Sequence, residues 1–343
     1  MKKLFCTLSI ILVMALLLAA CGGNDTSGEG EGAATEPVVF KIAQSLTEKD
    51  PVQKGFEKFG ELLEERTEGR YKVEIFANGV LGTDMEITEA VEMGNIDIIS
   101  CHGTNMSNFS SIWYVFDLPF AFPTEELYDK VVRGDLRQEL VDATEADMNN
   151  NVVLLDMWER GYRCLTCNKP VKTAADMQGV RMRVMENALH QGYWAMVGAD
   201  PATLPWADVY VALQQKAMDS HDNAPSLIAS ANLNEVQDYL MLSNHILSSS
   251  SILMNADKFN AMSPEDQEIV RECMIEAGIY QDTLLREAVA SDVATLKERG
   301  MTVLDTNEFD LDSFVEIANE FTASLGEEYA AAVNFFEKIK ALE

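Results

Sequence analysis

The chain has 343 residues, and 56 acidic side chains against 26 basic ones give it a formal net charge of −30. A surface this acidic repels nucleic acid, so we expect no nucleic-acid partner. Any anionic ligand must be held by a few well-placed positive side chains that overcome the overall field, which makes individual arginines informative.

The first residues have the features of a bacterial lipoprotein signal. Lys2 and Lys3 precede an apolar run over residues 10–20 that is too short to span a bilayer, and small residues lead to Cys21. We therefore predict that residues 1–20 are a cleaved signal peptide and that Cys21 carries lipid. An ordinary secretory leader with a coincidental cysteine and an uncleaved anchor are the alternatives. The polar sequence directly after Cys21 favours lipidation.

Residues 21–36 are rich in Gly, Glu and Thr and show no apolar periodicity. Such a segment buries too little surface to offset the entropy of ordering it. We predict a flexible tether that reaches roughly 20 to 25 Å from the membrane. The roughly 300 residues that remain suit two lobes or one large α/β unit.

The folded part begins with alternating strands and helices. Pro51 opens an apolar helical stripe that ends near Gly69, and a capping box at residues 83–86 starts a second helix. The predicted strands around these helices cover residues 38–43, 71–75 and 96–99. This order indicates a mainly parallel sheet that is covered on both faces.

The second half of the chain continues the α/β pattern. We predict a helix from about 124 to 149, a buried strand at 152–155, and a crossover to a second series of elements near Gly161, with a return near residues 248–251. Helical composition then runs from Ser263-Pro264 to Gly300. A helix of that length spans roughly 55 Å and is expected to cross both lobes.

Four cysteines lie in the folded part: Cys101, Cys164, Cys167 and Cys273. The spacing of Cys164 and Cys167 is also found in redox and metal sites. In an extended segment, however, residues three apart point to opposite faces, and no second Cys/His pair at ligand spacing accompanies them. We therefore expect packed thiols, no metal and no cofactor.

The chain contains no nucleotide-binding loop, no G-x-S-x-G elbow and no H-E-x-x-H helix, so no local motif indicates an enzyme. Catalytic groups are assembled in space, however. An extracytoplasmic lyase or hydrolase that uses His102 or His221 as a base therefore stays open as an alternative.

Polar residues stand where the predicted strands end, which is the usual ligand position in open α/β sheets. Ser45 follows the first strand and His102 the third, and the strand 179–184 carries Arg181 and Arg183 near its exit. Alternation places these two arginines on one face of the strand. The alternative is that both are solvated surface arginines.

Several motifs in this order resemble those of the solute-binding proteins of tripartite ATP-independent periplasmic (TRAP) transporters. The most specific are Trp158–Arg163, Gly179–Val184, Val209–Gln215 and Asp219–Asn223. The resemblance covers essentially all of residues 38–343.

The resemblance implies a two-lobed α/β fold like that of periplasmic binding proteins, with a long helix bridging both lobes and a ligand cleft at the hinge. It divides the chain into lobe I, residues 37–160 and 249–288, and lobe II, residues 161–248 and 289–343. It implies binding without covalent chemistry. A small organic anion, preferably a carboxylate such as a dicarboxylate or a sugar acid, is captured outside the cytoplasm and delivered to the TRAP permease subunits of the membrane.

The resemblance also assigns site residues. The arginine that forms a salt bridge to the solute carboxylate falls on Arg183. The other ligand-binding positions fall on Arg163, Asn223, Trp206, Ser45, Asp84 and His102.

The chain departs from the family pattern close to the expected cleft. Arg160 stands where an asparagine is frequent, and Ser220-His221-Asp222 replaces glycine-glutamine-glutamate. Arg160 either adds a second anionic contact or points to solvent. Because of these changes, the identity of the solute cannot be inferred from a relative. A ligand-sensing lipoprotein with the same fold is a further alternative to a transport protein.

Overall fold

The computed structural model describes residues 36–342. The predicted signal peptide, the lipidation site Cys21 and nearly all of the tether lie outside the described residues. From residue 36 to residue 342, no helix is long and apolar enough to cross a bilayer.

Strands and helices alternate along most of the chain. The strands are β1 Val38–Ala43, β2 Tyr71–Phe76, β3 Ile98–His102, β4 Val152–Cys167, β5 Arg181–Val184, β6 Asp200–Thr203, β7 Ser220–Asn223, β8 Tyr239–Asn255 and β9 Thr302–Leu304. The helices are α1 Pro51–Arg66, α2 Asp84–Glu92, α3 Gly103–Met106, α4 Glu125–Val132, α5 Arg137–Asp147, α6 Ala188–Val197, α7 Trp206–Gln214, α8 Pro225–Ser230, α9 Ala256–Asn260, α10 Pro264–Glu298, α11 Asp312–Ala323 and α12 Ala330–Lys340.

One mixed sheet runs through the molecule in the order β2-β1-β3-β8-β4-β7-β5-β6, with β9 added to β8. β1 pairs in parallel with β2 and β3, and β5 pairs in parallel with β6 and β7. The two ends of the sheet are therefore parallel, as the alternation predicted. The centre differs, because β4 and β8 are antiparallel to each other.

The central pair connects the two lobes. β4 has 16 residues and β8 has 17, and each runs through both halves of the sheet. β3 pairs with the last residues of β8, whereas β7 pairs with the last residues of β4. The register between β4 and β8 shifts at Glu159/Gly161, where Gly161 has a φ of +82° that disfavours a side chain. This two-lobed α/β architecture is the predicted fold class.

The predicted helix over residues 124–149 is wrong in one respect, because α4 and α5 are separate helices. The chain breaks between them at Gly134, where a Cβ would collide with the backbone of Lys130. The break lets Arg133 and Arg137 reach the same carboxylate of Asp156, with N···O distances of 3.1 and 2.9 Å.

The long helix α10 is confirmed. Its 35 residues begin after Ser263, whose hydroxyl accepts a hydrogen bond from the amide of Asp266 at 3.1 Å. α10 packs on α1 and the first half of β4 and continues onto α8 and β9, so it contacts both lobes. At the crossing, Gly278 lets the helix approach Trp158, since a Cβ there would lie 2.6 Å from Trp158 Cδ1.

The hydrophobic core is divided among several clusters. One lies under α1 and α10, with Phe56, Phe59 and Trp158 fully buried. The C-terminal helix α12 packs against the turn of 3₁₀ helix Ser111–Asp117, and the rings of Tyr114 and Tyr329 are 5.0 Å apart. The last helix thus touches residues that the predicted division assigns to lobe I, and the lobe boundaries stay a proposal.

The four cysteines of the described part are all buried free thiols. Burial raises the pKa of Cys164 to about 12, so this thiol is unreactive at neutral pH. Among residues 36–342, no group of Cys, His, Asp or Glu is arranged to hold a metal ion.

Candidate ligand-binding site

Arg183 lies near the end of β5 and is the most informative charge in the molecule. Only 4% of it is exposed. Its Nε and Nη2 donate to the carbonyl of Leu204 at 2.9 and 2.6 Å, and no carboxylate of the described residues pairs with it. Burial, and then the charge of Arg163, lower its pKa to about 10, which still leaves it charged at neutral pH. A buried charge without a counter-charge is costly, and a carboxylate with two hydrogen bonds to the guanidinium would compensate it.

Arg181, two residues earlier on β5, has a different environment. Its side chain is 45% exposed, and its Nη2 donates to Asp219 Oδ1 at 2.6 Å. Arg181 is therefore one of the surface arginines that the alternative described, and Arg183 is not.

Arg163 projects from β4 and is already paired. Its Nε and Nη2 donate to the two carboxylate oxygens of Asp222 at 2.7 and 3.1 Å, and both side chains are buried. His245 contacts the same carboxylate at 3.0 Å. The remaining nitrogen, Nη1, lies 3.4 Å from Asn223 Oδ1. Asp222 thus neutralises the charge of Arg163, and Nη1 is the nitrogen of Arg163 that does not contact this carboxylate.

Asp84 and His102 meet on the side of β3. Asp84 Oδ2 accepts hydrogen bonds from the amide of His102 at 3.2 Å and from Asn105 Nδ2 at 2.9 Å, while its Oδ1 is buried without a partner among the described residues. His102 Nδ1 accepts from the amide of Thr104 at 3.2 Å. Burial lowers the pKa of His102 well below 6.5, and so do the charges of Arg160, Arg163 and Arg183. His102 is therefore neutral, with its proton on Nε2 as a donor.

Trp206 and His221 lie next to each other, and His221 is on the strand that pairs with β5. Trp206 begins α7 and is 41% exposed, and its ring centroid lies 6.4 Å from that of His221. His221 lies on β7 and is fully buried. Ser45 is exposed at the end of β1, and its neighbour Gln44 is the buried residue there.

Arg160 does not point to solvent. It is buried, and its Nη1 lies 3.1 Å from Asp50 Oδ1. Beside it is a cavity of about 10 Å³ that Asp50 and Gln281 also line. A larger cavity of about 270 Å³ lies between α5 and α10, and none of the predicted site residues lines it.

The structure therefore groups most of the predicted residues. Burial, together with the charges of both Arg163 and Arg183, lowers the pKa values of His102 and His221. Asn223 contacts Arg163, and Trp206 lies next to His221. No contact links Ser45 to it among the described residues. Sequence reasoning missed His245, which binds Asp222 from the antiparallel strand β8, because no local motif marks such a long-range contact.

Two long central strands shared by two α/β lobes, together with a bridging helix, place the protein in the class of two-lobed solute-binding proteins. Arg183, which is buried and has no carboxylate partner in the described part of the chain, fits this class. The chain belongs to the DctP family, bacterial extracellular solute-binding protein family 7, whose pattern it matches over residues 42–328. This family comprises binding proteins, not enzymes. The low pKa values of His102 and His221 agree, since neither imidazole is basic enough to act as a general base near pH 7.

Known relatives support the family over nearly the whole folded part. The chain is 29% identical to the 2,3-diketo-L-gulonate-binding periplasmic protein YiaO of Escherichia coli, covering 84% of this chain and 86% of that protein. It is 26% identical to the C4-dicarboxylate-binding protein DctB of Bacillus subtilis, covering 87% of each. A TRAP periplasmic solute-binding protein from Polaromonas, solved with D-erythronate, superposes with a TM-score of 0.81 at 25% identity, covering 89% of this chain and 98% of that one.

Proposed function

We propose that this protein captures a small organic acid outside the cytoplasm and delivers it to a TRAP permease. The observation that carries the proposal is Arg183, a buried guanidinium that no carboxylate of the described residues neutralises. A planar guanidinium fits a carboxylate with two parallel hydrogen bonds, and the exclusion of water strengthens the pair.

The proposed site consists of Arg183 as the carboxylate clamp, with Arg163, Asn223, Trp206, Asp84 and His102 around it and Ser45 at its margin. The relatives named above bind a diketo sugar acid, a C4-dicarboxylate and an aldonate by their names. A carboxylate is what these three ligands share. The clamp accounts for this shared group and leaves the remainder of the solute to the other residues.

Replacement of Arg183 by alanine tests the proposal. We expect a loss of roughly 2 to 5 kcal/mol of binding free energy, because the solute carboxylate would be buried without its partner. This is a loss of about 30-fold or more in affinity. Calorimetry should use the acid that gives the largest thermal shift in a panel of sugar acids and dicarboxylates. Affinity near that of the wild type would refute the assignment of Arg183.

Arg181→Ala is the matched control, since it removes the same charge from the same strand at an exposed position. We expect little change for it. An equal loss in both variants would show that the overall field, and not a specific clamp, holds the ligand. Arg183→Lys should recover only part of the affinity, because an ammonium group cannot offer paired donors.

We also propose that Cys21 anchors the mature protein to the outer side of the bacterial cell membrane through lipid. The support is the apolar run, the small residues before Cys21 and the polar segment after it. Cys21→Ser should release the protein or leave the precursor unprocessed, as measured by membrane fractionation and mass spectrometry of the N-terminal peptide. A wild-type N-terminal peptide without lipid would exclude this anchor.

A further inference from the structure

His221 is a buried residue that departs from the family pattern and lies beside the proposed clamp. β5 and β7 are parallel, with Met182 opposite Ser220, so the next residues, Arg183 and His221, stand side by side on neighbouring strands. Strands in a sheet are about 4.8 Å apart. A group bound to Arg183 is therefore close to the imidazole of His221, whose ring centroid lies 6.4 Å from that of Trp206.

The hydrogen bonds of Thr166 determine which ring nitrogen of His221 carries the proton. Gln237 Nε2 donates to the carbonyls of Asp219 and Val236, so Gln237 Oε1 faces Thr166 as an acceptor at 2.8 Å. The single hydroxyl proton of Thr166 must go to this oxygen or to the carbonyl of His221 at 3.1 Å. If this proton pointed at His221 Nδ1 instead, neither the contact of Thr166 Oγ1 with Gln237 Oε1 nor its contact with the carbonyl of His221 would contain a proton.

Thr166 Oγ1 can then only accept from His221 Nδ1, which lies 2.6 Å away. Burial lowers the pKa of His221 to about 3, and the charges of Arg183 and Arg163 act in the same direction, so the ring is neutral and has one proton. With that proton on Nδ1, Nε2 is a bare acceptor. It is buried and has no donor among the described residues.

Asp84 supplies a second acceptor of the same kind. Its Oδ1 is buried and without a donor in the described part of the chain, while Oδ2 is occupied by His102 and Asn105. Each buried acceptor without a donor is costly, and a ligand that donates to it recovers that cost. A second carboxylate on the ligand would be ionised at neutral pH and would have no proton to donate to either acceptor. Hydroxyl groups satisfy both positions.

We propose that His221 selects the ligand, with its Nε2 accepting a hydrogen bond from a hydroxyl group on a carbon close to the carboxylate held by Arg183. The inference rests on the proposed function and narrows its ligand class to hydroxylated monocarboxylic acids. Unsubstituted dicarboxylates leave the acceptor of His221 without a donor.

The test compares D-erythronate with its analogues that lack one hydroxyl, 2,4-dihydroxybutyrate and 3,4-dihydroxybutyrate, and with succinate. In the wild type we expect one of the two analogues to bind roughly tenfold to a hundredfold more weakly than D-erythronate, and succinate to bind poorly. His221→Phe keeps an aromatic ring but has no acceptor. It should bind D-erythronate and the weaker analogue with equal affinity, and His221→Gln, which offers an amide oxygen, should restore part of the difference.

A readout on the wild type avoids any folding defect of the variants. Nitrogen-15 NMR of the histidine rings should show His221 protonated on Nδ1 and bare on Nε2 at pH 7, with a new hydrogen bond to Nε2 when D-erythronate is added. A proton on Nε2, an equal loss for all acids in His221→Phe, or a preference for succinate would overturn the inference.

Arg183→Ala distinguishes this inference from the proposed function. Loss of affinity for all four acids in Arg183→Ala, together with discrimination between them by His221→Phe as in the wild type, would support Arg183 as the carboxylate clamp and refute the role of His221. If Arg183→Ala keeps its affinity, or none of these acids binds the wild type, both fall together.

Discussion

Asp222 on β7 and Asp219 directly before this strand each pair with an arginine, but the two pairs differ in burial. Asp222 and Arg163 are both almost fully buried, whereas Asp219 and Arg181 are each exposed by more than a third. Exposed pairs contribute between nothing and about 1 kcal/mol. In a buried pair, removing one partner leaves a charge without compensation, so the same substitution has a much larger effect.

We therefore predict that Asp222→Asn lowers the free energy of unfolding by roughly 3 to 5 kcal/mol, because Arg163 loses the carboxylate that pairs with it among the described residues. Asp219→Asn is the matched control and should change it by less than about 1 kcal/mol. Denaturant unfolding of both variants measures the difference. Equal effects would mean that Arg163 finds another counter-charge.

The pH dependence of this pair has a definite sign. Burial acts to raise the pKa of Asp222, but Arg163 and His245 outweigh it and hold that pKa well below 3.8. A carboxyl with a lowered pKa in the folded state stabilises the fold at pH values above its unfolded pKa and loses this contribution as the pH falls through the folded value. The pair therefore keeps its full contribution at neutral and mildly acidic pH.

At the scale of elements, the sequence predicted what local signals encode. The capping box at residues 83–86 is formed, since Thr83 and Glu86 bond reciprocally, and Ser263 caps α10. The antiparallel pairing of β4 with β8 was not predictable in this way, because both strands are long and buried and their apolar runs do not indicate direction. The break at Gly134 was missed because a single glycine is tolerated inside a helical pattern and does not by itself mark an end.

The site shows the same limit. Alternation on β5 placed Arg181 and Arg183 on one face of the strand. It did not predict their burial, because β5 has only four residues and its first residue, Arg181, is exposed whereas Arg183 is buried. The position of the proton on His221 depends on Thr166 and Gln237. Thr166 is 55 residues from His221 and 71 residues from Gln237 along the chain, so no local pattern encodes these contacts.

For the whole molecule, the burial of the site requires motion. Arg183 is 4% exposed and His221 is not exposed at all, so a solute cannot reach them unless the lobes part. We predict that the protein without ligand is mostly open and closes on binding, by bending at the register shifts of β4 and β8. Small-angle X-ray scattering should give a smaller radius of gyration with the best-binding acid of the panel. Arg183→Ala with the same acid is the control, and an unchanged wild-type profile at saturation would indicate a rigid pocket.

The path of the chain through the sheet also affects how the protein is made. β3 pairs with β8, and Ile98 lies opposite Met254, so the first lobe lacks its central neighbour until more than two thirds of the chain has been synthesised. Contacts between residues so distant in sequence form slowly, because the intervening loop must close first. The signal peptide predicted for residues 1–20 would direct the chain to export, and a route through a narrow membrane channel requires an unfolded chain. We expect that this high contact order delays folding and so keeps the newly made polypeptide competent for secretion.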